Sequence, residues 1–562
     1  MKYSKIFGKT LKEVPKDANL ASHKLLYQAG FIRESTAGRY YLLPLGIRVH
    51  DKITQIVEEE MDRIGAQKMV APVLHPIELW EETNRDKSGG YELMTVEDRR
   101  GAKFALGGTA EEMFVDVVRK FQLSYKDLPL NIYQFGYKFR DELRARGGLL
   151  RVREFVMKDA YTFAKSNEEF IEQYKLFWEA YQKSYDRIGV KIDVVPADNG
   201  YFGGEYCHEF IVESEIGEST YFVSEDDKYT AHEDVATFTH EDVNPDEEIK
   251  EFEIFEQPDW VRTMDENVKF YKLSAAHFLK NVVYKNRENG DIIIATIRGD
   301  LEVNKNKLEH VTDTVGLLDD ATDEDLKSIG TKSGYVHSWG YTDKRVKFVG
   351  DNSLKTVKNF IGGQKKEKTD SRNVNYGRDF EHSITADIAK AKAGFLAPDG
   401  KSKMIEKRGI EVGNIFQFGQ HYSIKMNATF TDEKGDKIPY YMGAHGFGIG
   451  RTMAAVIEVY HDDRGMIWPE NIAPYQVYLV SIRENDRADA IYKQLQDVGV
   501  EVLYDDREDV NPGAKFADAD LIGIPVRLVV SAKTGEQIEW KRRTEKESEL
   551  VSLDEVLKRL KK

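Results

Sequence analysis

The run Tyr440-Tyr-Met-Gly443-Ala-His-Gly446-Phe-Gly448-Ile-Gly450-Arg451, followed by Thr-Met-Ala-Ala-Val-Ile-Glu, restricts the fold more than any other part of the chain. Glycines every two or three residues read as a strand whose backbone lets a flat ligand come close. The strand runs into an apolar helix opened by Arg451, which adds a guanidinium to the partial positive charge of a helix N-terminus, where phosphate is favoured. The spacing is neither a phosphate-binding loop, which needs Lys-Ser/Thr, nor a dinucleotide fingerprint. A tight bend in a strand would use the same glycines.

A second pattern of the same character lies upstream. Residues 131–142 and 149–158 each read as strands, rich in aromatic and β-branched residues, joined by the polar loop Leu143-Arg-Ala-Arg-Gly-Gly as a long hairpin. On a strand Arg140 and Glu142 project to one face. A permanent planar cation grips phosphate and a carboxylate accepts from an amino group, so the pair suits a nucleotide. A solvated salt-bridge ladder on a hairpin, worth about 0 to 1 kcal/mol per pair, is the alternative. A third pattern is structural: Ile53, Val57, Met61 and Ile64 share a helix face, Gly65 ends that helix, and residues 68–74 read as a strand stopped by Pro72 and Pro76.

At 562 residues the chain exceeds one hydrophobic core, and roughly 100 to 200 residues per domain predicts three or four. Near residue 223 the texture turns dense in carboxylates, and an α/β unit with the strand Ile292-Ile-Ile-Ala-Thr-Ile follows to about 395. It reads as an insertion, because glycine-rich strands resume at 400–451. From 474 onward strands and helices alternate as in an α/β domain, ending in a helix that starts with the capping-box spacing Ser552-Leu-Asp-Glu555. The expected division is 1–222, 223–395, 396–473 and 474–562.

A 41% apolar fraction with 11% aromatics excludes global disorder. The N-terminus carries no apolar run of a leader, and no 18-residue apolar stretch exists to span a membrane. Cys207, the single cysteine, excludes an internal disulfide and fits a reducing cytoplasm; beside His208 it is assigned no chemistry, and no metal site of protein ligands is expected. A net charge of -16 argues against nucleic acid only as a sum, since a basic face can sit on an acidic whole. Lys541-Arg-Arg543 could supply such a face, a merely solvated surface being the alternative.

The three patterns, in their order along the chain, resemble the signature motifs of class II aminoacyl-tRNA synthetases. Within that class the chain resembles the bacterial-type prolyl-tRNA synthetases almost end to end. The strongest segments are Phe139-Arg-Asp-Glu-Leu-Arg-Ala-Arg, Arg153-Glu-Phe-Val-Met-Lys-Asp-Ala-Tyr, Lys407-Arg-Gly-Ile-Glu-Val-Gly-Asn-Ile-Phe-Gln-Phe-Gly and Pro512-Gly-Ala-Lys-Phe-Ala-Asp-Ala-Asp-Leu-Ile-Gly-Ile-Pro.

The resemblance implies an α/β and α+β multidomain chain. Its parts are an antiparallel-sheet catalytic domain, an inserted α/β editing domain and a C-terminal α/β anticodon-binding domain. It implies ATP and L-proline as substrates, Mg²⁺ alongside, tRNA(Pro) as acceptor and a homodimer built on the first motif. Arg140, Glu142 and Arg451 carry the catalytic roles. Arg140 is expected on the α-phosphate and the amino-acid carboxylate, Glu142 on the adenine amino group, Phe155 stacked on adenine and Arg451 on the γ-phosphate, with Arg151 and Gln417 as further nucleotide contacts. Thr109 and Glu111 match positions that hold the proline nitrogen, with His445 nearby; Arg144 matches a reader of the tRNA acceptor end.

Lys280, Gly334 and Asp351 match editing positions. A second site is useful because rejecting a substrate smaller by a methylene gains only about 1 to 3 kcal/mol, so alanine leaks into a proline pocket. The chain departs from the family at Gly108, where proline is common, at Ala444-His445, where Cys-Tyr is expected, in the thinned glycine loop 330–336 and at Asp370, which stands where the family has histidine. The insert between the second and third motifs argues against a synthetase for another small amino acid, such as threonine or glycine. A synthetase-like binding protein typically loses a motif arginine or the last domain, and a lone deacylase needs only the insert.

Overall fold

The computed structural model describes residues 1–86, 93–200, 204, 206–362 and 368–561. The chain forms two compact units. The first comprises residues 1–193, 209–218 and 409–562, and the second 194–208 and 219–408.

The first unit is built on a sheet in the order Gln67–Lys68, Leu130–Phe139, Glu154–Ala164, Tyr441–Gly448, Met404–Gly419, with Tyr206–Glu213 also paired to the last. The three central pairings are antiparallel. The helix Asn167–Ile188 covers one face; Ser166 caps it by accepting from the Glu169 amide at 3.3 Å, and Gly189 closes it at φ 89°, a left-handed conformation that glycine adopts without strain. The helix predicted from Ile53, Val57 and Met61 spans Pro44–Arg63 and buries all three. The strand read over 68–74 is instead two short pieces, Gln67–Lys68 and Leu74–Pro76, in different sheets. Between them the Ala71 amide donates to the Gln134 side chain, and Pro72 has no amide to continue a ladder.

The C-terminal part carries a five-stranded sheet, Val502–Asp505, Val477–Ile482, Val526–Ser531, Ile538–Arg542 and Glu549–Val551. The Ser552 hydroxyl caps the last helix, but the Glu555 carboxylate pairs forward with Arg559 at 2.9 Å. The Lys541-Arg-Arg543 run is not a uniform basic face. Arg543 is 5% exposed and forks onto Asp462 at 2.6 and 2.9 Å, while Arg542 pairs with Glu470.

The second unit holds a five-stranded mixed sheet in the order Leu318–Asp320, Leu279–Asn286, Ile292–Arg298, Val346–Asp351, Ile384–Ala386. Its central strand is buried along its whole length, which accounts for the near-continuous apolar run of residues 292–297. A second sheet pairs Thr369–Val374 with Glu253–Glu256 and Phe360–Gly362. No helix among the described residues is long and apolar enough to cross a membrane.

Candidate active site

Strand alternation divides the first unit's sheet into a ligand face and a helix-covered face. Phe155, Met157, Asp159 and Tyr161 project to one side, and residues directly opposite share it. Opposite Met157, Asp159 and Tyr161 stand Gly448, Gly446 and Ala444. The alternating glycines thus keep this face low. Phe447 and His445 of the same strand turn to the other side, where Phe447 stacks on Tyr185 at 4.6 Å and His445 on Phe177 at 3.9 Å.

His445 and Gln417 are therefore corrections. His445 is wholly buried, hydrogen-bonded to Thr162 at 3.0 Å under the covering helix, and it is Ala444 that faces the site. Gln417 is also wholly buried, opposite Gly443, and donates to Asn167 at the start of that helix at 2.9 Å. The register that puts glycines on the ligand face sends both side chains behind the sheet.

The strand Leu130–Phe139 ends before Arg140, so Arg140 and Glu142 meet through a turn and not through the pleat. The Glu142 amide donates to the Arg140 carbonyl at 2.7 Å. The Arg140 guanidinium stands 5.3 Å over the Phe155 ring, and its Nε donates to the Gly108 carbonyl at 3.3 Å. Phe139 donates its amide to Gly107 at 3.0 Å, and these two bonds moor the loop bearing Thr109 and Glu111 beside Arg140.

Glu142 accepts from Arg151 Nε at 2.8 Å and from the Arg144 amide at 3.0 Å, and its carbonyl accepts from Arg153 at 2.8 Å. Burial pushes its carboxyl up, but the Arg151 bond, the Arg144 amide and the Arg151 and Arg140 charges outweigh it and hold the group below its usual range. Arg151 also reaches Glu218 at 2.9 Å. Arg144 leaves its side chain exposed. Arg451, in the first turn of Ile449–Val459, donates to the Leu150 carbonyl at 2.9 Å and lies 3.4 Å from the Glu411 carboxylate. Its seat is thus one residue from Arg151.

Thr109 Oγ1 lies 2.6 Å from both oxygens of Glu111. Behind them is a network that sequence reasoning missed. Arg85 Nη1 lies 3.1 Å from Glu111 and 2.8 Å from Glu112, all three nearly inaccessible. Burial raises the Glu112 carboxyl above its usual range, with Arg85 opposing. Tyr161 accepts from the Ala110 amide at 3.0 Å and donates to Asp159, which pairs with Lys138 at 2.7 Å. The one available signal was Glu111-Glu112 at the start of an amphipathic helix: a buried acid pair demands a cation.

In the second unit, Lys280 and Gly334 line one cavity of about 410 Å³ together with Gln257, Arg262, Lys368 and Asp370. Lys280 Nζ donates to the Leu301 carbonyl at 3.1 Å. Asp351 lies elsewhere in the same unit. It is fully buried away from the lining, accepting from the Ser353 and Ile388 amides at 2.8 and 2.9 Å, so its carboxylate is committed to backbone. Among the described residues, His240, Asp351 and Asp387 form the one grouping with metal-ligand spacing, and Asp387 there already holds Lys307 at 3.0 Å.

The profile of the class II tRNA synthetase core domain (G, H, P, S and T) matches residues 94–460, and that of an anticodon-binding domain matches 476–562. Proline--tRNA ligase of Dehalococcoides mccartyi is 40% identical over 567 residues, covering 100% of this chain and 98% of the relative. That of Bacillus subtilis is 41% identical over 554 residues, covering 97% of each. The solved structure of Giardia lamblia prolyl-tRNA synthetase in complex with prolyl-adenylate is similar in fold, with TM-score 0.57 at 15% identity, over 95% of this chain and 74% of that one. Together these matches show that the chain belongs to the proline--tRNA ligases, a family of class II aminoacyl-tRNA synthetases.

Proposed function

We propose that the chain activates L-proline with ATP on the Phe155–Tyr161 face and passes the prolyl group to tRNA(Pro). The observation that carries this is the mooring of the Thr109–Glu111 loop to Arg140 through Gly107 and Gly108. It sets a site for a cationic imino nitrogen beside a cation suited to a carboxylate and an α-phosphate. Glu111 and Thr109 hold the nitrogen. Arg140 holds the carboxylate and the α-phosphate, and its place over Phe155 leaves that ring for adenine. Glu142, kept ionised by Arg151, accepts from the adenine amino group. Arg451 takes the terminal phosphate. Fixed positive charge and positioning drive this step, in which the proline carboxylate attacks the α-phosphorus and pyrophosphate leaves.

Glu411, partly exposed beside Arg451 and bonded to Asn414 at 2.8 Å, fits Mg²⁺, which takes a carboxylate together with substrate phosphates. When bound, the ion neutralises charge on those phosphates. Residues 476–562 bind the anticodon end, and the work takes place in the cytoplasm. The chain acts as a homodimer through the segment after the helix Pro44–Arg63, a reading supported by Val70, Val73 and Leu74, exposed by 79%, 44% and 44%. Arg144, exposed on the turn after Glu142, reads the acceptor end. Arg144→Ala therefore spares proline-dependent pyrophosphate exchange and slows transfer to tRNA about tenfold or more, as loss of one charge-assisted phosphate contact does. Equal loss in both assays places Arg144 in the ATP site instead.

The second unit, roughly the expected insert 223–395, clears alanyl-tRNA(Pro), with Lys280 meeting a phosphate as a mobile point charge. Release of labelled alanine from pre-formed alanyl-tRNA(Pro) above the spontaneous rate is the expected result. Release at the spontaneous rate removes editing from the account and leaves proline activation untouched.

A further inference from the structure

The cavity of the second unit carries in its wall a carboxyl group that no cation among the described residues holds. Asp370 lies on the strand Thr369–Val374 opposite Phe255 and is 6% exposed. One of its oxygens accepts from the Ser371 amide at 2.8 Å; among the described residues the other accepts a long bond, 3.3 Å, from Gln257 Nε2. That amide is shared with Asn267 and Tyr271, each at 3.1 Å.

The charged groups around the same cavity are engaged elsewhere. Lys368 pairs with Asp259 at 3.4 Å, Arg262 donates to the Asp259 carbonyl at 2.7 Å and Lys280 donates to Leu301. The Tyr271 hydroxyl is itself pushed up, by burial and then by Asp370, so it stays neutral. Among the described residues burial dominates and raises the Asp370 carboxyl to about 7, with Ser371 and Gln257 opposing. A carboxyl that changes charge near neutrality on a wetted wall suits proton transfer to and from water.

We propose that Asp370 is the proton acceptor of a hydrolytic site for a small aminoacyl ester, a step that rests on the editing reading above. Asp370 takes a proton from water as the water oxygen bonds to the ester carbonyl carbon. The carbon–oxygen bond to the ribose then breaks and the same proton passes to the departing ribose oxygen. Alanine and uncharged tRNA leave, and no other reactant is needed.

The test uses the full chain and tRNA(Pro) pre-charged with labelled alanine, with spontaneous hydrolysis subtracted. The wild-type rate rises from pH 5.5 and levels off above about 7, and Asp370→Asn lowers the plateau by about 100-fold and abolishes the inflection. The variant unfolds no earlier than wild type at pH 8, since it buries no ionised group, and proline-dependent exchange is unchanged. A variant hydrolysing at the wild-type rate overturns the proposal. So does a wild-type profile with no inflection between pH 5 and 9, which decides the matter even if the variant folds poorly. A wild type that releases no alanine fails earlier, at the editing reading, and takes this proposal with it.

Discussion

Arg140→Ala and Arg451→Ala each lower proline-dependent pyrophosphate exchange by about 100- to 1000-fold, the loss typical of removing one fixed charge from a developing phosphate transition state. Neither guanidinium is deeply buried; Arg140 donates to the Gly108 carbonyl and Arg451 to the Leu150 and Glu411 carbonyls. The fold therefore loses little, and the thermal midpoint stays within a few degrees of wild type. Arg140→Lys restores only part of the activity, because an ammonium cannot keep a planar fork over Phe155 while spanning two acceptors. A variant with near-normal exchange and an unchanged midpoint reduces Arg140 to a partner in a solvated ion-pair ladder.

Arg85→Ala has the largest effect on stability, about 3 to 5 kcal/mol, because it strands Glu111 and Glu112 without their cation in a dry interior. Activity falls with it, since Glu111 loses the group that fixes it beside Thr109. The pH dependence has a definite sign. Glu112 already has a raised pKa in the folded chain, so the native state holds its proton to higher pH than the unfolded state does. Stability carried by that proton is therefore present at low pH and lost as pH rises through the folded value. Without Arg85 the pKa rises further, and the stability deficit at pH 7 shrinks as pH falls toward 5. Glu112→Gln combined with Arg85→Ala recovers part of the loss, a coupling that a double-mutant cycle in denaturant measures. Additive losses in that cycle contradict the shared network.

The sheet and its charge-bearing loops were legible because their signals are local. The helix face of Ile53, Val57 and Met61 read directly, and the strands read over 131–142 and 149–158 are observed as Leu130–Phe139 and Glu154–Ala164. The glycine alternation of 443–450 was legible as a close-approach surface, but not which face it served. That depends on register against Glu154–Ala164, a long-range pairing, and a shift of one residue would exchange His445 for Ala444. The same limit misplaced Gln417. Arg85 was not legible, since its carboxylate partners Glu111 and Glu112 are more than twenty residues away in sequence and meet it only in the packed state. Asp351, which matches an editing position, is held by two backbone amides that its sequence context does not announce.

The central claim is that this site selects and activates proline. Pyrophosphate exchange into ATP, run with each standard amino acid in turn, tests it most directly because it needs neither tRNA nor the second unit. With Glu111 and Thr109 in the proposed role, a carboxylate and a hydroxyl meet a charged nitrogen, and a proline site rejects larger side chains sterically but alanine only through lost contact. The account predicts the strongest exchange with proline, a weaker signal with alanine, and background with the rest. Threonine or glycine giving the largest signal, or no amino acid giving any, would contradict it.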